Sequence, residues 1–200
     1  KRSLVTNAKP HLNARSILCL DIKDAFPSTY LSPELIIEIC KKANVLNRYN
    51  ISCKSYYKVI ATLLHIGNKR CSYLAQGAPT SPHAFNLYCG HRLDIRLQQL
   101  AINVGGTVTR YADNIAFSME CSEIDRALRN AIFRTVESDA WLRINNEKTM
   151  YLADANNQKQ PIRLPGINII DGEIRLPPAT IKRLRGKLYI AGKMHDFETY

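Results

Sequence analysis

Cysteine pairs at metal-binding spacing are missing from this sequence. Its six cysteines, Cys19, Cys40, Cys53, Cys71, Cys89 and Cys121, stand singly with no C-x-x-C, which argues against a zinc site. Free thiols packed as small hydrophobes in a reducing, cytosolic setting are expected instead. Long apolar runs are missing too: none approaches the roughly 20 residues that span a bilayer. No signal-peptide pattern opens the chain, so no membrane partner is expected. Repeats and low-complexity tracts are absent, which leaves an ordinary packed domain. At 200 residues it is one domain, or one and a fragment of a second, large enough to bury a core. The first residue is Lys rather than Met, so the sequence is expected to begin inside a longer polypeptide. Acid is scarce: 17 Asp and Glu against 28 Lys and Arg give a net charge of 28 − 17 = +11. With a pI near 9.5 and 10 Tyr, that balance points to a polyanionic partner, nucleic acid first, against the plainer reading of a basic soluble protein.

What acid there is stands at strand ends. Thr109-Arg110-Tyr111-Ala112-Asp113-Asn114-Ile115-Ala116-Phe117-Ser118 flanks a short polar tip with apolar and aromatic residues, and reads as a tight hairpin with Asp113 at its apex. Ser16-Ile17-Leu18-Cys19-Leu20-Asp21-Ile22 suits a buried central strand, and Asp21 ends it. Either aspartate alone is equally a turn former. Two on neighbouring strand ends can share divalent ions. Two such ions about 3.5–4 Å apart activate an attacking hydroxyl and stabilise leaving pyrophosphate in phosphoryl transfer.

Along the chain, Ser32-Pro33-Glu34 supplies an N-cap, a first-position proline and a first-turn acid for a helix carrying Leu35, Ile36, Ile39 and Cys40. A second helix is expected over Cys53–Ile66, stopped by Gly67. The small-residue loop 75–82 leads into a long helix through about Ala101, with Ala84, Leu87, Tyr88, His91 and Ile95 as its apolar stripe. Ser122-Glu123-Ile124-Asp125 resembles a capping box for a helix that turns Ile124, Ala127, Leu128, Ala131 and Ile132 inward. Strands are expected around Asn145-Asn146-Glu147-Lys148, and a hairpin about Asp171-Gly172. From Ala179 a basic helix begins. An antiparallel centre with helices gathered on one face is an α+β fold.

Taken in order, Leu20-Asp21-Ile22-Lys23-Asp24-Ala25-Phe26-Pro27-Ser28, Gln76-Gly77-Ala78-Pro79-Thr80-Ser81-Pro82 and Arg110-Tyr111-Ala112-Asp113-Asn114 resemble the three core palm motifs of prokaryotic reverse transcriptases. The chain is most similar to the retron type: Asn7-Ala8-Lys9-Pro10-His11 matches its N-A-x-x-H element. Leu164-Pro165-Gly166 stands where retron enzymes carry V-T-G, and only the glycine agrees. The resemblance implies a polymerase palm with part of the fingers over residues 1–178 and the start of a thumb over 179–200. The remaining fingers strands are expected before Lys1, and the thumb is expected to be cut short.

That resemblance implies RNA-directed DNA synthesis with two Mg²⁺ ions and dNTPs. Asp21, Ile22 and Asp113 would hold the metals, Asn114 would sit beside them, and Lys148 would neutralise or protonate pyrophosphate. Ile22, Lys23, Asp24 and Ala25 would meet the triphosphate. Phe26 would lie beneath the sugar and exclude a 2′-OH, and Gln76 and Gly77 would face the nucleotide and template. Nucleic acid would be met by Asn7, His11 and Gly166, and by Lys182, Arg183, Arg185 and Lys187 on the basic helix, while Arg110 and Tyr111 would either buttress the hairpin or touch the primer strand. The bland alternatives are Phe26 as core, Lys148 as a solvated turn lysine, His11 as structural and the basic helix as an exposed face.

One position departs from the family pattern. Asn114 stands where a third acid is usual, and the amide removes a negative charge beside the metals. A natural variant whose two acids suffice, an inactivating substitution, and a protein that has given up polymerisation are the three explanations. The retron type further implies a noncoding RNA as template and primer, a product joining DNA to RNA, and phage defence with an effector protein in the prokaryotic cytoplasm. The competing readings are another bacterial reverse transcriptase, of the group II intron or defence-associated kind, and a catalytically silent RNA-binding scaffold.

Overall fold

Strand β1 (Ser16–Lys23) runs through the middle of the molecule, buried along almost its whole length. The computed structural model describes residues 3–32, 35, 38, 41, 65–66, 73–154 and 160–197. On one side β1 pairs antiparallel with β5 (Asn114–Met119), from Ser16↔Met119 to Asp21↔Asn114. β4 (Thr107–Tyr111) completes that hairpin. On its other side β1 pairs with two short segments, β6 (Arg143–Ile144) opposite Ile22 and Lys23, and β7 (Met150–Leu152) opposite Ile17 to Cys19. Both run in the same direction, so they are one strand interrupted opposite Leu20 and Asp21.

The apolar run of β1 has a cause: its two faces feed two different cores. Leu18, Leu20 and Ile22 join Ile115 and Phe117 against the helices. Burying side chains of this size contributes about 1.5–3 kcal/mol each. Those helices are α3 (Ser81–Cys89), a wide π turn (Gly90–Asp94) and α4 (Ile95–Val104), which run on as one rod, together with α5 (Arg126–Arg134). Ile17 and Ala116 look the other way, toward Ala8 of α1 (Leu4–Ala8) and a three-stranded sheet of β8 (Ile162–Leu164), β9 (Ile167–Ile170) and β10 (Glu173–Arg175). The α+β expectation therefore holds, with the long helices on one face and the short α1 on the other beside the three-stranded sheet. The chain leaves β1 through the single turn α2 (Ala25–Ser28) and ends in the exposed basic helix α6 (Pro178–Phe197).

Several local expectations are met. The Ser32 hydroxyl accepts from the Leu35 N–H at 3.2 Å, the predicted N-cap. Asp171 and Gly172 both take positive φ in the β9–β10 turn, as a two-residue hairpin requires. Burial pushes the free thiols of Cys19 and Cys89 up to about 12, as unreactive packing groups.

Others are corrected. His65–Ile66, expected at the end of a helix, form strand β2 paired with β3 (Tyr73–Leu74). The rest of that expected helix, from Cys53, lies outside the described residues. Tyr88 is buried as expected, but Leu87 and Ile95 point to solvent, and the buried row beside Tyr88 is Phe85, Cys89, Leu93, Leu97 and Ala101. A spacing of four drifts by about 40° per step on a regular α-helix. The π turn takes up the surplus residue and keeps the row on the core. The cap of α5 is Asp125, whose carboxylate accepts from Leu128 N–H at 2.6 Å, so the helix starts after Ile124 and leaves Ala127 exposed.

Candidate active site

The register of β1 against β5 sets Asp21 directly opposite Asn114, on the face shared by Cys19 and Ala116. Ile22 N–H donates to the Asp113 carbonyl at 2.9 Å, which ties the apex of the β4–β5 hairpin to the end of β1. The turn is only Ala112 and Asp113, because Tyr111 already pairs with Asn114. Ala112 holds φ at +55°, a left-handed conformation that costs an L-residue about 1 kcal/mol or more. Asp21 and Asp113 open together onto one cavity of about 430 Å³. The two acids predicted to meet are thus neighbours.

The interruption between β6 and β7 brings two more groups to Asp21. Asn145 N–H donates to the Asp21 carbonyl at 2.8 Å, and its side-chain amide donates to Asp21 Oδ1 at 3.3 Å. Lys148 Nζ lies 3.3 Å from the same oxygen, with its side chain 66% exposed. Asn114 acts on the other acid, its amide donating to Asp113 Oδ1 at 3.0 Å. Each carboxylate therefore has an amide donor of its own, and Asp21 also faces an ammonium ion. Among the described residues no group of three or more His, Cys, Asp or Glu gathers. The donor set is two carboxylates with neighbouring carbonyl oxygens, all hard ligands that suit Mg²⁺ and leave room for substrate phosphates.

Around the same cavity lie Lys23, Asp24, Ala25, Phe26 and Gln76. Asp24 has φ +49°, which turns the chain sharply from β1 into α2. Phe26 stands edge-on to Phe85, ring centroids 5.9 Å apart at 83°. It is half-buried, neither a core residue nor a free one. Gly77 has φ +86° with open space about it, so glycine is required there by the backbone. A second cavity, of about 310 Å³, reaches Asp21 and Asn114 from the side of Asn7, Met150, Leu164 and Pro165. Gly166 completes that turn at φ +69°, and a Cβ there would come within 3.0 Å of Leu4. Asn7 and the Leu164–Gly166 turn thus border one space.

Two expected nucleic-acid contacts are placed elsewhere. His11 is fully buried, bonded through Nδ1 to Ser118 Oγ (2.7 Å) and through Nε2 to Thr109 Oγ1 (2.8 Å). Burial lowers it to about 4, so it pins the hairpin as a neutral ring. Arg110 donates from Nε and Nη2 to the two Asp94 oxygens (2.7 and 2.8 Å) and from Nη1 to Asn86 Oδ1 and the Ala112 carbonyl (2.9 Å each). Four of its five N–H groups are used, which leaves no fork for phosphate. Tyr111 is 38% exposed beside the hairpin, and Lys182, Arg183, Arg185 and Lys187 are exposed on α6. Sequence reasoning missed Asn145, Asp94, Asn86 and Phe85. Only the adjacency of Asn145 to Lys148 gave any signal, because the other three reach the site through tertiary packing.

A family model described as reverse transcriptase (RNA-dependent DNA polymerase) matches residues 1–169. The chain is 29% identical over 202 residues to the retron Ec86 reverse transcriptase of Escherichia coli, covering 98% of this chain and 56% of that protein. It is 31% identical over 207 residues to the retron Mx65 reverse transcriptase of Myxococcus xanthus, covering 100% of this chain and 46% of that protein. The chain thus spans about half the length of these relatives. Among solved structures it is similar in fold to apo telomerase from Candida tropicalis, with TM-score 0.56, 12% identity, and 87% and 39% of the two chains covered. It is equally similar to the foamy viral protease-reverse transcriptase with double-stranded DNA, with TM-score 0.56, 12% identity, and 92% and 26% covered.

Proposed function

The chain belongs to the reverse transcriptase family, and from that membership we propose that it is the palm of a retron-type RNA-directed DNA polymerase. One observation carries the reading: Asp21 and Asp113, 92 positions apart by number (113 − 21), are joined through Ile22 N–H and share one cavity. Bound divalent ions supply activation of the attacking 3′-hydroxyl and stabilisation of the departing pyrophosphate. Asp21 and Asp113 hold those ions, with the Ile22 carbonyl and the Asn114 amide oxygen as further oxygen donors. Lys148, exposed and touching Asp21, swings to the pyrophosphate oxygens as negative charge develops. Backbone N–H groups from Lys23 to Ala25 receive the triphosphate, and Phe26 fills the space that a ribose 2′-OH would need.

Residues 1–178 serve as palm with part of the fingers, and α6 begins a thumb whose exposed cations follow the duplex backbone. A structured RNA is the template and primer, and the retron type implies work in phage defence beside an effector protein. Among the described residues no helix is long and apolar enough to cross a membrane, which accords with a cytoplasmic site of action. Among the described residues no third acid groups with Asp21 and Asp113 as a metal-binding cluster, which favours one other reading, an RNA-binding scaffold without catalysis. Primer extension on an RNA template decides between them. The polymerase incorporates dNTPs over NTPs and Asp113→Ala abolishes the product, whereas RNA binding with no extension by the unmutated chain identifies the scaffold.

A further inference from the structure

We infer that Arg110, held by Asp94, is a positioning residue that fixes the metal-holding hairpin and the sugar gate to one another. This rests on the polymerase reading for its catalytic readout, though not for its structural one.

The Arg110 side chain is only 10% exposed, and its guanidinium faces in three directions. Nε and Nη2 form a two-pronged bond to Asp94, which fixes the plane of the group as no ammonium can. Nη1 then points to the Ala112 carbonyl, one residue before Asp113 in the strained two-residue turn. The same nitrogen bonds Asn86 on α3, so the apex is anchored to the long helix rather than to its own hairpin. The Arg110 guanidinium also lies 5.9 Å over the Phe85 ring, and the Phe85 ring packs nearly perpendicular to that of Phe26. One cation therefore braces both the turn that presents Asp113 and the ring packed against Phe26, the side chain that excludes a 2′-OH.

Asp94, the partner of Arg110, is the last residue of a π turn in the long helix. Gly90–Asp94 widens the helix at the point where it passes the hairpin, and π turns of this kind commonly mark functional positions. The left-handed Ala112 would relax without a bond on its carbonyl, and with it the direction of the Asp113 carboxylate. A displacement of about 1 Å at such a centre costs about 100-fold in rate. Loss of an outer partner of a ligand costs about 10- to 100-fold in metal affinity or activity.

The test compares Arg110→Lys, which keeps the charge and loses the fork, with the neutral pair Arg110→Gln/Asp94→Asn, which leaves no unpaired charge if the first variant misfolds. Each is made in the full chain and checked by circular dichroism. Mn²⁺ binding followed by electron paramagnetic resonance weakens about 10-fold in a folded variant, a readout that needs no polymerisation. In primer extension kcat falls about 10- to 100-fold with little change in template affinity, and preference for dNTP over NTP falls as well, because Phe85 loses its support. A purely structural role would lower the folded fraction and leave both the Mn²⁺ affinity of the folded protein and its sugar preference unchanged. That result in either folded variant overturns the inference. If the unmutated chain extends nothing, the polymerase reading fails, and the Mn²⁺ comparison still decides the positioning role.

Discussion

Substituting Asn114→Asp tests the electrostatics of the centre most directly. Asn114 is the cross-strand neighbour of Asp21, and its amide donates to Asp113 at 3.0 Å. Directly opposed residues on one face have Cβ atoms about 4.5–5.5 Å apart, and like charges there are destabilising. A new carboxylate replaces a donor with a second acceptor beside Asp113 and confronts Asp21 across the sheet. Two unit charges about 5 Å apart repel by about 1 kcal/mol in water and about 3 kcal/mol at an effective dielectric of about 20. The metal-free variant is therefore expected to be less stable by about 1–3 kcal/mol, a melting temperature lower by about 3–9 °C for a chain of this size. Excess Mg²⁺ reverses the order, since three acids bind the ion more tightly and a ligand at about 100 times its Kd adds about 2.7 kcal/mol. Melting curves in EDTA and in Mg²⁺ for the unmutated chain, Asn114→Asp and Asn114→Ala give the measurement, and Asn114→Ala removes the amide without adding charge. Primer extension by Asn114→Asp should hold or rise. Equal stability in EDTA together with no extra Mg²⁺ response would show that position 114 does not sense the two acids, and the account of the site would be wrong.

Phe26→Ala should admit ribonucleotides, cutting dNTP preference by about 10- to 200-fold, the range that a shape difference in a pocket commands; unchanged sugar selection measured by competing dNTP and NTP extension removes the gate. His11 gives a pH signature. Its folded value near 4 lies below the ordinary 6.5, so as pH falls the unfolded chain takes up the proton first. Stability is full above about 6.5 and is lost between there and about 4, up to about 3 kcal/mol in all. Urea titrations of the unmutated chain and His11→Gln across that range should converge as pH falls, and parallel curves refute the pin.

Those elements whose signals are local were legible in the sequence. β1 had to be apolar on both faces because two cores meet on it, and the hairpin announced itself by β-branched residues around a two-residue tip. The Ser32 cap and the Asp171-Gly172 turn depend on their own neighbours and were read from them. Position-dependent features were not. Of the stripe Leu87–Ile95, Tyr88 is buried as read, whereas Leu87 and Ile95 are exposed, and the π turn holds a row of four-residue spacing on the core that no regular helix would keep there. The N-terminus of α5 was misplaced because Ser122 and Asp125 are both good caps, and only tertiary burial of Ile124 decides for Asp125. Of the site, the acids and Lys148 were legible. Asn145 was not, because its role arises from a break in a strand whose partner lies about 120 residues away in sequence.

A net charge of +11 points to a polyanionic partner without saying which cations would meet it. The structure divides them by what each N–H already does. Arg110 lies nearest the hairpin apex, yet burial and four spent donors make it part of the scaffold. Lys148 stands against Asp21 with one ion pair on a mostly exposed stem, and a rotation of that stem frees all three of its donors. The exposed cations of α6 occupy the opposite extreme, on a helix surrounded by solvent, where their attraction for phosphate is long-ranged and screened by salt. Affinity for duplex should therefore fall with salt through α6, while the response of catalysis to salt at Lys148 stays small, because the pair it makes with Asp21 is short-ranged. The sequence places all three kinds of cation within one basic composition. Only the hydrogen bonds each has already made separate Arg110 from Lys148 and Lys148 from the exposed cations of α6.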